Sequence, residues 1–160
     1  MKLDDTDKKV LDILQTNANI TNAQLASELG ISPAAMLERV KRLENSGIIK
    51  RYVALVDPEK VGKRTMAFIA ISLAVHHLNS IDTIREEISK LSEVLECYHV
   101  AGEEDFMLKV AIRDIQEYEH FMFGKLTKIN GINKIKTTFI VSTVKYDTKF
   151  NIDNGSLNGE

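Results

Sequence analysis

Two pairs of cations, Lys41–Arg42 and Lys50–Arg51, stand nine residues apart in a chain whose net charge is only −2. Guanidinium and ammonium groups suit phosphate oxygens, and the same groups fit the O6/N7 edge of guanine. The residues around the first pair repeat at helical spacing. At about 100° per residue, Met36, Val40 and Leu43 fall on one stripe, Ala34, Glu38 and Lys41 lie near the opposite side, and Arg42 lies further round. Arg39 sits on a flank of the stripe. The outward face is therefore small at its start and charged further on, a shape that lets a helix enter a groove and grip its walls. Glu38 repels phosphate there, although it can accept from cytosine.

Other reactive side chains do not assemble in the sequence. His76–His77, His99 and His120 are the candidate acid/base groups or ligands, and their spacing fits no zinc motif. His76 and His77 would end a strand on opposite faces, and His99 would sit in a strand beside Val100. Each reads as structural or exposed. There is no nucleophile triad and no phosphate-cradling glycine loop, so neither catalysis nor a metal or organic cofactor is expected. Cys97 is alone, so no intrachain disulfide can form, and it reads as a small apolar residue in a reducing compartment.

The elements that must position the cations are set by local signals. Thr21 with Gln24 three residues on is a capping box. Leu25, Ala26 and Leu29 recur at helical spacing, and Gly30 stops that helix where a positive φ is wanted. Ile31 plugs the turn. Ser32 is the next N-cap, with Pro33 at the first helical position; the second helix ends at Gly47. Two short helices joined by a tight turn make a helix-turn-helix, whose second helix enters a major groove. The candidate DNA contacts are Thr21 at the first helix, then Ser32, Pro33, Ala34, Ala35, Leu37, Glu38, Arg39, Lys41 and Arg42. Lys50 and Arg51 come next, on a β-branched run, Ile48 to Val56, that predicts a wing strand.

Charge distribution agrees. Residues 31–64 hold 8 Lys/Arg against 4 Asp/Glu, whereas residues 65–160 hold 10 against 14. Basic charge gathers at the recognition helix and in the segment just beyond it. The apolar fraction of 44% and charged fraction of 28% are those of a globular protein. No apolar run nears the roughly 20 residues that span a bilayer, and MKLDDTDKK lacks a signal-peptide core, so a cytoplasmic location is expected.

The rest of the chain predicts a second domain. Asp4 caps an opening helix with Val10, Ile13 and Leu14 inside. Asp57–Pro58 and Gly62 mark a connector, placing a domain boundary near residue 64. Met66 to Val75 alternates as a strand, with Ile69, Ile71, Leu73 and Val75 on one face and Phe68, Ala70, Ser72 and Ala74 on the other. A helix opening at Ser80 or Asp82 carries Ile81, Ile84, Ile88 and Leu91 on one side. A hairpin of Val94–Ala101 and Phe106–Ile112 comes after it, turning at residues 102–105. Asp114 caps a helix with Ile115, Tyr118, Met122 and Ile129 inside, ended by Gly131. Ile132 to Tyr146 forms the last strand. The order βαββαβ is the ferredoxin-like arrangement. The fold class is α+β: a winged helix-turn-helix over 1–64, a ferredoxin-like domain over 65–146 and a fraying tail over 147–160. Two helices cover one sheet face only; Phe68, Ile140 and Val144 on the other would be buried by a second copy.

Over nearly its whole length the chain resembles the Lrp/AsnC family of transcription regulators. Leu3–Asp4, Asp7, Leu11 and Leu14 look like the family's opening helix. Leu25–Ala26, Leu29–Gly30, Ser32–Pro33, Arg39 to Glu44 and Gly47–Ile49 match its helix-turn-helix. Tyr52, Asp57 and Gly62 match its hinge, Gly102 and Asp105 its effector-domain turn, and Gly131–Ile132 and Val144–Lys145 its closing strand. The resemblance implies a regulator binding double-stranded DNA as a homodimer, assembling further to an octamer, with an amino-acid effector held between dimers. By position the effector residues are Ala101, Gly102, Glu103, Glu104, Asp105, Thr137 and Thr138. Carboxylates there suit an ammonium group, and threonine hydroxyls and backbone N–H groups suit a carboxylate. The family commonly has Thr where Ala101 stands and an aromatic where Glu104 stands, so the extra acid points to a basic effector, a changed affinity or none. The rival readings are an enzyme resembling the sirohaem decarboxylases, built on the same plan, and a ligand-sensing module without DNA binding, which would have no need of the basic bias.

Overall fold

Three short helices, each with one apolar stripe, can close a small core only by sharing it. A computed structural model describes residues 2–74 and 78–152 and shows this arrangement. Helices α1 (Asp5–Thr16), α2 (Asn22–Leu29) and α3 (Pro33–Asn45) bury Val10, Leu11, Leu25, Ala26, Met36, Val40 and Leu43 together. The local signals act as read. Thr21 and Gln24 form a reciprocal capping box, and Gly30 takes φ +67°. The Gly30 and Ile31 N–H groups both donate to the Ala26 carbonyl. Ser32 Oγ accepts from the Ala35 N–H at 3.2 Å.

The second unit, Val56–Val144, holds one antiparallel sheet in the order β2-β3-β1-β4. Its strands are β1 (Thr65–Leu73), β2 (Val94–His99), β3 (Phe106–Ile112) and β4 (Ile132–Phe139). Helices α4 (Leu78–Ser89) and α5 (Ile115–Gly124) pack on one face. Ile69, Ile71, Phe106, Leu108, Ile84 and Phe121 are fully buried between them. This is the βαββαβ order with the sheet layout it implies. Opposite lies the uncovered face, where Phe68 remains 42% exposed.

Several expectations change. Residues 48–56 belong to no ladder, since a strand needs a neighbour and the described sheet does not include them; they run as an irregular connector that bends at Ile48 and Ile49, with Val53 and Leu55 well exposed. Helix α5 ends at Gly124 rather than Gly131, because glycine is a weak helix former. A single 3-10 turn, Leu126–Lys128, then delivers Leu126 and Ile129 to the core. Ile115 lies on the stripe of Met122 but two turns earlier, where that stripe is uncovered, and it is 58% exposed. Strand β4 stops at Phe139, so Val144 is exposed and lies off the sheet.

The tail is the largest departure. The first unit holds residues through Leu55 and takes the chain up again at Lys145. Residues 147–152 do not fray. The Gln15 amide donates to the Phe150 carbonyl at 3.1 Å and accepts from the Phe150 N–H at 2.7 Å. Lys149 pairs with Asp12 at 2.7 Å, and Ile152 packs on the three-helix core. A side-chain amide reproduces one rung of a ladder there, a long-range pairing that no local pattern announces. The remaining tail positions, 153–160, lie outside the described residues, as do Val75, His76 and His77.

Candidate nucleic-acid interface and effector cleft

The turn between α2 and α3 sets α3 so that Ser32, Pro33, Ala34, Ala35, Leu37, Glu38 and Lys41 are all exposed. Thr21, Lys50 and Arg51 are exposed as well. The side of α3 that the sequence turns outward is thus exposed, and it is small at its N-terminal end. Beyond α3, the Tyr52 hydroxyl donates to Glu44 Oε1 at 2.9 Å. Burial, together with that acidic partner, pushes the Tyr52 phenol up to about 12. This contact pins the connector that carries Lys50 and Arg51 against the end of α3, a role the sequence did not suggest.

The arginines are placed differently from the lysines. Arg42 Nη2 lies 2.8 and 3.0 Å from the two carboxylate oxygens of Asp7. Arg39 Nη1 donates to Asp4 and to Asp7. Asp4 and Asp7 belong to the capping box of α1. The Arg39 hydrogen bond, followed by the Asp7 N–H, holds the Asp4 carboxyl below the usual carboxylate range. Arg39 and Arg42 therefore join α3 to α1. The sequence assigned both to DNA because their partners lie 32 to 35 residues away.

In the second unit the turn after β2 presents Ala101, Gly102 and Glu103 to solvent, with Glu104 and Asp105 partly buried. Asp105 is built into the framework: its Oδ2 accepts from the Leu73 N–H at 2.7 Å, and its own N–H donates to the Ile71 carbonyl at 2.8 Å. Glu104 instead lines a cleft of about 470 Å³ on the uncovered sheet face, with Phe68, Ala70, Met107, Lys136 and Thr138. Register separates the two threonines. Thr138 pairs with Phe68 and shares its face, whereas Thr137 pairs with Ile69 and faces the helices. There the Tyr118 hydroxyl donates to Thr137 Oγ1 at 2.7 Å. Of the expected effector residues, the fold thus brings Glu104 and Thr138 together and sends Thr137 elsewhere. Lys136 was missed, and its i, i+2 spacing with Thr138 was the available signal.

The histidines stay apart. His99 lies 3.4 Å from Arg85 through its Nδ1 and 5.1 Å from the Phe106 ring, while His120 is exposed on α5. Among the described residues no three His, Cys, Asp or Glu side chains gather to hold a metal, and no helix is long and apolar enough to cross a membrane.

Residues 3–50 match the winged helix-turn-helix DNA-binding family, and residues 66–150 match the Lrp/AsnC ligand-binding domain. The chain belongs to the Lrp/AsnC family of transcriptional regulators. It is 36% identical to the transcriptional regulator AzlB of Bacillus subtilis, covering 94% of this chain and 96% of that protein. It is 35% identical to the leucine-responsive regulatory protein of Haemophilus influenzae, over 89% and 86% of the two chains. A Neisseria meningitidis transcriptional regulator solved in complex with L-Met superposes with a TM-score of 0.90 at 32% identity, over 95% of this chain and 98% of that one. These Lrp/AsnC relatives are named as regulators, and the two-part α+β architecture is theirs.

Proposed function

We propose that this Lrp/AsnC regulator binds double-stranded DNA as a homodimer, and as further assemblies up to an octamer, with an amino-acid effector setting its grip. Two recognition helices related by a two-fold axis would read half-sites one helical turn apart. Because DNA is the partner, we place the protein in the cytoplasm. The observation that carries the reading is the capped α3 with its exposed small-then-charged face.

The cleft at Glu104 supports the effector half. An amino acid needs an anion for its ammonium, a cation or donors for its carboxylate and an apolar wall for its side chain. Glu104, Lys136 with Thr138, and Phe68 with Met107 supply these in turn. The cleft opens on the sheet face opposite α4 and α5, so a second copy laid on that face would close over the ligand. Effector binding and assembly are then linked, and an effector shifts the equilibrium by its differential affinity for the two arrangements. The sirohaem-decarboxylase-like reading draws no comparable support, with His99 committed to Arg85 and Phe106, and His120 on another element.

The test measures size and operator affinity together. Light scattering and anisotropy on upstream DNA, with each amino acid in turn, should find one or more that change both. No change with any of the twenty would sink the effector half and leave the DNA half standing.

A further inference from the structure

We propose that Arg39 and Arg42 are positioning residues, held by Asp4 and Asp7 to fix α3 on α1, and that DNA phosphates are left to Lys41, Lys50 and Arg51. The inference rests on the DNA-binding reading and deepens it. Asp7 is 1% exposed, and a carboxylate so buried needs cationic or hydrogen-bonding partners. Both its oxygens receive Arg42 Nη2, Oδ1 also receives Arg39, and Oδ2 accepts from the Asp4 N–H at 3.1 Å. Asp4 gives both oxygens to Arg39, at 2.8 and 2.6 Å. Drawing either arginine out to a phosphate would strip a partner from this network and loosen the contact that sets the angle of α3.

Charge leads to the same assignment. Two acids and two arginines neutralise one another, whereas DNA affinity grows with the number of phosphates a protein neutralises by releasing their counterions. A cation already paired within the protein adds nothing to that number. Lys41, Lys50 and Arg51 carry no ion pair among the described residues, whereas Arg42, which is exposed like them with 51% of its side chain accessible, is paired with Asp7. Asp4 and Asp7 therefore act as internal stand-ins for phosphate, keeping the arginines from gripping DNA of any sequence.

Anisotropy titrations of the full chain across a range of KCl, on its own upstream DNA and on a scrambled fragment, test this. Lys50→Gln should lower the slope of log affinity against log salt by about 0.9 for each recognition unit engaged, and Arg42→Gln should leave the slope at the wild-type value. Asp7→Asn, and Asp4→Asn, which keeps a capping side chain, should steepen the slope and raise affinity for scrambled DNA. Adding Arg42→Gln to Asp7→Asn should lower the steepened slope again. A purely structural defect would weaken both DNAs without steepening either. If Asp7→Asn fails to fold, Asp4→Asn decides. Arg42→Gln lowering the slope as Lys50→Gln does, or Asp4→Asn leaving it unchanged, overturns the assignment alone. A wild-type chain without salt-dependent DNA binding overturns the reading beneath it.

Discussion

The carboxylate of Asp105, at the end of the β2–β3 turn, accepts a hydrogen bond from the Leu73 N–H of β1 at 2.7 Å. That contact sits where the β1–β4 register shifts, between Ser72 and Leu73, and it holds the turn beside the strand that floors the cleft. Asp105 is thus built into the framework of the β2–β3 turn. Asp105→Ala leaves a partly buried N–H without its partner and should cost about 1–3 kcal/mol. Asp105→Asn keeps an acceptor and should cost less than half of that. Urea unfolding followed by circular dichroism checks both, and an alanine variant as stable as wild type would remove the claim.

Thr137 and Thr138 are neighbours with opposite tasks. Thr137→Val breaks the bond from Tyr118 and should cost about 1 kcal/mol of stability while leaving effector binding unchanged. Thr138→Val should leave stability within about 0.5 kcal/mol and weaken the effector several-fold. Calorimetric titration beside a thermal melt separates the two, and equal effects on binding would show that the cleft is misplaced.

At Gly30 nothing lies within 4 Å of where a Cβ would stand, yet φ is +67°. The cost of Gly30→Ala is therefore backbone strain alone, about 1–2 kcal/mol, and Gly30→Asn should cost less because asparagine tolerates this conformation. Thermal melts of the three proteins rank them. An alanine variant matching wild type would contradict the argument.

Glu93 is 6% exposed, and Lys125 Nζ lies 2.6 Å from its Oε1. Burial alone would raise its carboxyl, but the Lys125 hydrogen bond with its smaller backbone and Ser92 companions outweighs that and holds it below the usual glutamate range. A carboxyl lowered in the folded state stabilises fully above its unfolded value of about 4.3, and that stability is lost as pH falls through the lower folded value. Glu93→Gln should cost about 1.5–3 kcal/mol at neutral pH and much less under acid conditions. Asp4, Glu96, Asp114 and Glu117 are lowered too, so the difference between the two curves carries the information. Parallel curves would exclude the pairing.

How legible each feature was in the sequence depends on the range of the interaction behind it. Thr21, Gln24, Gly30, Ser32 and Pro33 act within four residues of themselves, so the helix-turn-helix could be read directly. The alternation in β1 fixed which side of Ile69 and Phe68 meets the helices, and the βαββαβ order fixed the sheet. Arg39 and Arg42 met partners beyond thirty residues, and Gln15 met Phe150 at 135; no period encodes such pairs. Residues 48–56 had the composition of a strand without a neighbour to pair with. Thr137 and Thr138 fall in one predicted site because the family resemblance carries both over by position, whereas neighbours on a strand face opposite sides of the sheet.

The central claim is that the Ser32-capped helix and the connector after it carry this protein onto DNA under effector control. Its most direct test is anisotropy on the protein's own upstream DNA across a salt series, with and without the amino acid found by screening. Affinity should fall steeply with salt, exceed that for scrambled DNA, and change in the presence of the amino acid, with Thr138→Val needing a several-fold higher concentration than the wild type for the same change. Equal weak binding to both DNAs, or none to either, would contradict the account.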